Sequence, residues 1–307
     1  MARKRNPVAL WCKTTLTLLF LHGFEFVPLS LARRIGRRIG QMAYYLLPRV
    51  RTIGLENVNL AYGDSKSDQE KKAILMGSME NLGILAAEFA HVPLLRTEKM
   101  DSLVDIKGLE NLEGSTGGVM ISAHLGNWEW AAGVIGGLDC KKVGVVRPLR
   151  DPRLNETVER FRGGGGLEMI AKEDAGPEII KAVRKGNFVG LLIDQSTRKN
   201  GIPVTFFGQP CWATIGPVMI ALRTRTPVYP LSMTRDEAGF YTLEFFPPVT
   251  IERTGSIHQD LINASQVCQD IIEEMVRKNP GQWMWIHDRW KPQPILEKEW
   301  EKRLQKN

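Results

Sequence analysis

The chain has 307 residues, of which 43% are hydrophobic and 24% charged, which is typical of a globular protein with a large buried core. Its four cysteines form no CxxC pair and no zinc-binding spacing with histidine, and no P-loop, HExxH or GxSxG motif is present. The net charge of +7 is concentrated in residues 1–51, which contain ten Lys or Arg and one acid. No nucleic-acid-binding module accompanies this basic excess, so it predicts an anionic membrane as a partner and no nucleic acid.

The first predicted element is a mostly apolar helix from Val8 to Leu31, preceded by the basic run Arg3–Arg5. Lys13, His22 and Glu25 interrupt it, so the charge-free stretch is shorter than the roughly 20 residues that a membrane-spanning helix needs. A secretory signal peptide is an alternative, because Ser-Leu-Ala at 30–32 resembles a cleavage site. The polar interruptions and the lack of a disulfide framework favour a membrane anchor.

Four arginines follow, paired four residues apart on one helix face, and each contributes about 1 kcal/mol of attraction near an anionic leaflet. We predict that residues 7–50 lie in the bilayer or marginally cross it, with an ordinary amphipathic docking helix as the alternative. The predicted organisation is an anchor over residues 1–50 and one domain over residues 51–307. The arginines are Arg33, Arg34, Arg37 and Arg38.

Beyond the anchor, Ser67-Asp-Gln-Glu70 is a capping box that predicts a helix running to about Ala90. Residues 93–116 are predicted to be loop and short elements. From residue 117 short apolar runs alternate with helical stretches, which predicts an α/β fold with a mainly parallel, mixed sheet flanked by helices. The predicted strands are Gly118–Ala123, Lys142–Arg147, Leu167–Ala171, Phe188–Ile193, Val204–Phe207, Val228–Thr234 and Tyr241–Phe246.

The predicted helices of this region begin at Asn127, after Pro152, at Pro177 and at about Thr214. A last long helix is predicted from about Gln259 to Lys278. Gly163–Gly166 has no GxGxxG spacing and is predicted to be a flexible loop, while the aromatic segment Gln282–Trp290 is expected to pack near the sheet or the membrane.

His124 and Glu129 form the candidate catalytic pair. Their spacing of five residues separates them on a continuous helix, so they meet only if the chain turns between them. Gly126 permits a turn, and Asn127 is a good N-cap that sets Glu129 in the first helical turn. An anionic Glu129 could then orient His124 as a general base for a substrate hydroxyl. The spacing alone is weak, and a buried histidine bonded to a backbone carbonyl is the alternative.

The position of His124 after a predicted strand supports its interpretation as a catalytic residue. In parallel sheets, functional groups lie at the carboxyl ends of the strands, and His124, Arg147 and Asp194 all follow predicted strands.

The chain resembles the bacterial lipid A biosynthesis late acyltransferases of the lauroyl/myristoyl type, within the His-x4-Asp/Glu lysophospholipid acyltransferase superfamily. The resemblance covers nearly the whole chain and depends on the order of several motifs. These are Ala123–Glu129, Val146–Pro148, Asp194-Gln195, Phe206–Gly208 with Ala213-Thr214, Pro227–Pro230 and Gln282–His287.

The resemblance implies transfer of a fatty acyl group from acyl carrier protein, or from acyl-CoA, to a hydroxyl of a lipid A precursor of the Kdo-lipid IVA type. It implies action at the cytoplasmic face of the bacterial inner membrane, by a peripheral or single-pass protein without metal or cofactor. His124 would be the general base and Glu129 its partner. The implied substrate-binding residues are Gly126, Asn127, Arg147, Asp194, Gln195, Phe207, Gly208 and Thr214.

Three alternatives stay open. The acceptor could be another glycolipid or glycerolipid, such as a phosphatidylinositol mannoside or a lysophospholipid. The same base could activate water in a membrane-bound acyl thioesterase. The third alternative, an inactive acyltransferase scaffold, is disfavoured because His124 and Glu129 are both intact.

Overall fold

The computed structural model describes residues 7–146, 149, 151–163, 168–171, 176–197 and 199–304. Ten α-helices and nine strands are assigned within these residues. The helices are α1 Pro7–Glu25, α2 Leu29–Leu46, α3 Pro48–Tyr62, α4 Asp68–Glu88, α5 Trp128–Gly137, α6 Pro152–Gly163, α7 Gly176–Arg184, α8 Gly216–Thr224, α9 Ile257–Lys278 and α10 Pro294–Leu304. The strands are β1 Val104–Lys107, β2 Gly118–Ser122, β3 Lys142–Val146, β4 Glu168–Ala171, β5 Phe188–Leu192, β6 Gly201–Phe206, β7 Gln209–Thr214, β8 Val228–Arg235 and β9 Tyr241–Phe245.

Seven strands form one sheet in the order β1-β9-β8-β2-β5-β3-β4. Every neighbouring pair in this sheet is parallel except β8 and β9. The predicted α/β class with a mainly parallel, mixed sheet is therefore confirmed. The remaining strands, β6 and β7, form a separate antiparallel hairpin.

The helix that begins at the capping box is present as predicted. The Ser67 hydroxyl accepts a hydrogen bond from the Glu70 backbone, and the Glu70 carboxylate accepts one from the Ser67 backbone at 2.8 Å. By length and composition, Asp68–Arg96 is the one described helical segment apolar enough to cross a membrane. Its most apolar window is 56% buried in the protein, as in the core helix of a folded domain.

The N-terminal helices pack against this body. Helix α2 crosses α4 so closely that a Cβ on Gly36 would lie 2.5 Å from the Gly83 carbonyl oxygen, and one on Gly40 would lie 2.1 Å from the Met79 carbonyl oxygen. The outer sides of α1 and α2 expose apolar residues between arginines. The membrane role and the boundary at residue 50 stay predictions. The exposed apolar residues include Trp11, Leu16, Leu19, Phe26, Leu31, Ile35, Ile39 and Met42.

Two hydrophobic clusters lie on opposite faces of the sheet. One contains Val119 of β2 and Val189 of β5, packed with residues of α7, α8 and α9. The other contains Met120 and Phe188, with residues of α1 and α5. The alternation of β2 and β5 residues between the two clusters follows from the period of two of an extended strand.

Candidate active site

His124 and Asp194 meet at one edge of the sheet. His124 follows β2 and Asp194 follows β5, and these strands are parallel neighbours with Ser122 opposite Leu192. The His124 Nδ1 lies 2.8 Å from Asp194 Oδ1, and the His124 backbone N–H donates to Asp194 Oδ2 at 2.9 Å. Both residues follow predicted strands, but their direct pairing was not predicted from the sequence.

Asp194 is a buried anion held by several donors. The Trp283 indole N–H also donates to its Oδ2, at 2.7 Å. Burial alone would raise the pKa of the Asp194 carboxyl, but the charge of His124 and the hydrogen bonds from His124 and Trp283 outweigh it and lower the pKa to about 2. Asp194 is therefore ionised at neutral pH and can stabilise a protonated imidazole.

An ionised carboxylate only accepts hydrogen bonds, so the Nδ1 facing Asp194 carries the proton of the neutral imidazole. The other nitrogen, Nε2, is then the basic one. It faces the Gln195 side-chain amide at 3.3 Å, and Trp128 packs edge-on against the ring with centroids 4.9 Å apart. A histidine whose Nδ1 is bonded to a carboxylate in this way has the geometry that a general base requires.

The turn after His124 is built as the sequence predicts. Gly126 has a φ of +61°, and a Cβ there would lie 1.7 Å from the Met233 carbonyl oxygen, so no other residue fits. Asn127 caps α5, because its Oδ1 accepts from the Trp130 backbone N–H at 3.0 Å. Its Nδ2 donates to Glu88 at 2.7 Å, which ties the cap to helix α4.

Glu88 was not predicted to belong to the site. It is fully buried and accepts hydrogen bonds from Asn127, from the Tyr241 hydroxyl at 2.6 Å and from Arg33 Nε at 2.6 Å. Asn127, whose role was predicted to be substrate binding, is itself fully buried. Within the described residues its contacts are structural, so it shapes the turn that carries His124.

The structure pairs the Glu129 carboxylate with Arg162, whereas the sequence predicted a pairing with His124. Glu129 does lie in the first turn of α5, but its carboxylate binds Arg162 of α6 through two hydrogen bonds, of 2.8 Å to Nε and 2.6 Å to Nη2. Burial lowers the pKa of Arg162, but the contact with Glu129 outweighs it and raises the pKa. A guanidinium fork matches a carboxylate better than an imidazole does, which explains why the Glu129 carboxylate bonds Arg162. A catalytic role for Glu129 stays a prediction.

A cavity of about 670 Å³ opens beside His124, Trp128 and Glu129. It lies between α1, α5 and α6 and the face of the sheet that carries Met120. Most of its lining is apolar, which suits a hydrocarbon ligand with one reactive end. Among its lining residues are Phe20, Leu21, Phe89, Ala131, Ile135, Leu154, Val158, Phe188, Gly190 and Leu192.

The predicted residues of the Phe207 segment lie elsewhere. Phe207 and Gly208 form the two-residue turn of the β6–β7 hairpin, and both have positive φ. Phe207 is buried against Tyr62 and Trp285, with ring centroids 5.3 and 5.8 Å away. Thr214 ends β7, and its hydroxyl accepts from the Gly216 backbone. None of the three lines the cavity, and their role in substrate binding stays a prediction.

Some predictions fall on residues that the structure does not describe. Arg147 and most of the Gly163–Gly166 run lie outside the described residues. Within the described part of the chain, no cluster of three or more His, Cys, Asp or Glu residues could hold a metal ion.

The aromatic segment Gln282–Trp290 is hydrogen-bonded to the residues of the site. The backbone N–H groups of Gly126 and Met284 donate to the carbonyls of Gln282 and His124, at 3.0 and 3.1 Å. Trp283 and Trp285 are buried, so the prediction of packing near the sheet is confirmed. The sequence marks this segment by its aromatic density, but its hydrogen bond to Asp194 joins residues 89 positions apart and has no local signal.

The chain is similar in sequence to known acyltransferases. The family model described as "Bacterial lipid A biosynthesis acyltransferase" matches residues 4–292. The chain is 25% identical over 276 residues to a lipid A biosynthesis acyltransferase of Haemophilus influenzae, covering 87% of this chain and 86% of that protein. It is 25% identical over 269 residues to the lipid A biosynthesis palmitoleoyltransferase of Escherichia coli, covering 86% of each. A phosphatidylinositol mannoside acyltransferase of Mycobacterium tuberculosis is 21% identical over 227 residues, covering 71% of this chain and 70% of that protein.

Proposed function

The chain belongs to the bacterial lipid A biosynthesis acyltransferase family, and on that premise we propose that it transfers a fatty acyl chain from acyl carrier protein to a hydroxyl of a lipid A precursor. The observation that carries the proposal is the pair formed by the partly exposed His124 and the buried Asp194 beside an apolar cavity. A base activates the hydroxyl, and the cavity accepts the hydrocarbon chain beside it.

The proposed reaction has two steps. The acceptor hydroxyl attacks the thioester carbonyl of the donor while His124 Nε2 takes the hydroxyl proton, and Asp194 stabilises the imidazolium that results. The tetrahedral intermediate then collapses, the carbon–sulfur bond breaks, and the imidazolium returns its proton to the leaving thiolate. No metal, cofactor or acyl-enzyme is needed in this sequence.

The oxyanion of the intermediate requires a hydrogen-bond donor or a cation. The sequence offers Arg147 for this purpose, or for binding an acceptor phosphate, since guanidinium suits both anions. Gln195, whose amide lies 3.3 Å from His124 Nε2, is a second candidate that the geometry supports.

The acceptor is a membrane lipid, and the outer surface of α1 and α2 supports a membrane location. It combines exposed apolar side chains such as Leu16, Leu19 and Phe26 with the exposed Arg34 and Arg38. Apolar contact and cationic charge together favour an anionic leaflet. We place the enzyme on the cytoplasmic face of the inner membrane, where a cytosolic acyl carrier protein could reach it.

The second candidate acceptor is a phosphatidylinositol mannoside. The relative from Mycobacterium tuberculosis, whose name states that substrate, aligns over 71% of this chain and supports this alternative. A thioesterase, with water replacing the acceptor, would use the same base.

The test incubates the purified protein with acyl-acyl carrier protein and one acceptor at a time, and reads the products by mass spectrometry. We expect the Kdo-lipid IVA type acceptor to gain one acyl chain. His124→Ala should lower this transfer by at least about 100-fold, the lower end of what a general base contributes. Acylation of the phosphatidylinositol mannoside alone would select the second acceptor. Release of fatty acid at the same rate with and without acceptor would make the protein a thioesterase.

A further inference from the structure

One face of the interior strand β5 is exposed. Strand β5 lies between β2 and β3, and strands at such positions in a parallel sheet are normally buried on both faces. Val189, on one face, is fully buried. Gly190 and Leu192, on the opposite face, are both exposed, and 38% of the Leu192 surface is accessible.

The exposed Gly190 has a second glycine, the buried Gly144, as its neighbour on β3. Gly190 pairs with Gly144 of β3 on one side and with Met120 of β2 on the other, and all three residues line the cavity. A Cβ added to Gly190 would meet no heavy atom within 4 Å, and its φ is not in the left-handed region. Neither a turn nor close packing thus requires glycine here. Glycine in the middle of a strand weakens the strand and often marks the close approach of a ligand.

The distance from the reactive end of the cavity to Gly190 gives the length of acyl chain that reaches this residue. Asp194 and its partner His124 mark the reactive end, and Phe188 and Lys142 line the other end of the strands. Six residues of strand separate Asp194 from Phe188, or about 20 Å, and four separate it from Gly190, or about 13 Å. Because a carbon–carbon bond of about 1.5 Å advances only about 1.25 Å along an extended zigzag chain, roughly 16 bonds are needed to reach Phe188, and roughly ten to reach Gly190.

We propose that Gly190 is the residue that determines acyl-chain length, because its missing side chain lets a long acyl chain lie against the sheet and pass to the deep end of the cavity. The inference rests on the proposed function for its substrate, a fatty acyl thioester. If it is correct, the enzyme uses donors with long acyl chains, and the residue at position 190 of β5 sets the maximum chain length.

The experiment compares the wild type with Gly190→Ala and Gly190→Leu, a graded series that fills the cavity from the strand. Binding of octanoyl-pantetheine and palmitoyl-pantetheine is measured by titration calorimetry, and transfer from octanoyl- and palmitoyl-acyl carrier protein is measured in parallel. We expect Gly190→Leu to weaken binding of the palmitoyl compound by at least about tenfold and to leave binding of the octanoyl compound, whose chain ends short of Gly190, nearly unchanged, with Gly190→Ala between the two. The ratio of palmitoyl to octanoyl transfer should fall in the same order.

Gly137→Leu is the matched control. Gly137 lies at the exposed end of α5, outside the cavity lining, and a Cβ there also meets no atom within 4 Å. This variant should bind both compounds as the wild type does. Retained binding of the octanoyl compound shows that Gly190→Leu is folded.

Equal weakening for both chain lengths, or unchanged binding of both, would overturn the assignment of Gly190. Because binding is measured without turnover, the result does not depend on the acceptor. A protein that binds long acyl groups in this Gly190-dependent way but transfers none would refute the proposed function alone.

Discussion

The two faces of the central sheet are built from the same strands and have opposite characters. On one face, Val119, Val189 and Val143 sit side by side on β2, β5 and β3 and are buried. One residue further along, the row on the other face is Met120, Gly190 and Gly144, and it lines the cavity. We call these the filled face and the open face. Adjacent rows of one sheet thus provide packing on one side and a binding surface on the other.

The difference shows that one face of the sheet contributes packing stability, while the other face leaves space for a ligand. Each fully buried aliphatic side chain contributes about 1.5–3 kcal/mol relative to exposure, and the open face forgoes this contribution at two positions. The filled face, covered by α8 and α9, supplies the packing that keeps the strands in register. The site then lies at the edge where both faces end, with Trp283 of the filled-face cluster bonded to Asp194.

The largest effect is expected at that edge, in Asp194→Asn. The amide has a similar shape but no charge to stabilise the imidazolium, and it no longer fixes the tautomer of His124. We expect the transfer rate constant to fall by about 10²–10⁴-fold, the contribution of a positioned general base. Steady-state kinetics measure this, with a thermal melt to confirm folding.

Glu129→Gln is the matched variant for this prediction, because it neutralises the other carboxylate near the base. It weakens the contact with Arg162 at the cavity mouth but leaves the bond between His124 and Asp194. A smaller loss of rate is therefore expected. If Glu129→Gln were the more damaging change, Glu129 would be the functional partner of His124 in the reacting complex.

The second prediction tests the two faces directly by removing aliphatic side chains. Ile272 of α9 is fully buried on the filled face, so Ile272→Ala should cost about 2–5 kcal/mol of the free energy of unfolding. Leu192→Ala on the open face should cost about 1 kcal/mol or less, because that side chain is already exposed to the cavity. Urea unfolding of both variants measures the difference. Equal losses would mean that the open face is as tightly packed as the filled one.

Much of the fold could be predicted from local signals. The capping box at Ser67 fixed the start of α4, and the alternation of apolar runs with helical stretches gave the mainly parallel sheet. Two strands were missed. Strand β1 has only four residues, two of them charged and exposed, and β7 lies in a region predicted to lead into a helix at Thr214. Short strands that pair through distant neighbours leave little periodicity to detect.

The candidate site could be predicted only in part. The turn at Gly126 and the cap at Asn127 are local, and both are present as predicted. The partner of His124 lies 70 residues away and depends on β2 and β5 being neighbours, an order that strand patterns do not specify. The spacing of His124 and Glu129 likewise gave no signal for the bond between Glu129 and Arg162, because Arg162 is 33 residues away in the sequence.

The third prediction concerns acid unfolding and tests whether the ionised Asp194 stabilises the folded protein. Its pKa is lowered from 3.8 to about 2 in the folded protein, so its ionised form stabilises the fold above pH 3.8, and this contribution is lost as the pH falls through about 2. One pKa unit corresponds to about 1.4 kcal/mol, so the loss is about 2 kcal/mol. Urea unfolding of the wild type and Asp194→Asn between pH 5 and pH 2 should show the steeper decline in the wild type. Parallel curves would mean that Asp194 titrates normally in the folded state.

The smallest effect is expected on the outer surface of the open-face side, which we propose faces the membrane. The roof of the cavity includes Phe20 and Leu21 of α1, while Leu16 and Leu19 of the same helix point outward and are exposed. Nearby α2 exposes Arg34, Arg38 and an apolar stripe. If this side faces the bilayer, an acyl chain and its lipid acceptor approach His124 from the same direction.

Arg38→Gln should therefore lower partitioning onto anionic vesicles about fivefold, which corresponds to about 1 kcal/mol for one arginine near an anionic surface. Arg223→Gln is the control, because Arg223 is exposed on α8, which covers the filled face, and carries the same charge. It should leave partitioning unchanged, and raising the ionic strength should reduce the difference between the two variants by screening. Vesicle co-sedimentation at low and high salt measures both effects. An equal loss in the two variants would mean that net charge alone, and not the open-face side of the molecule, directs the protein to the membrane.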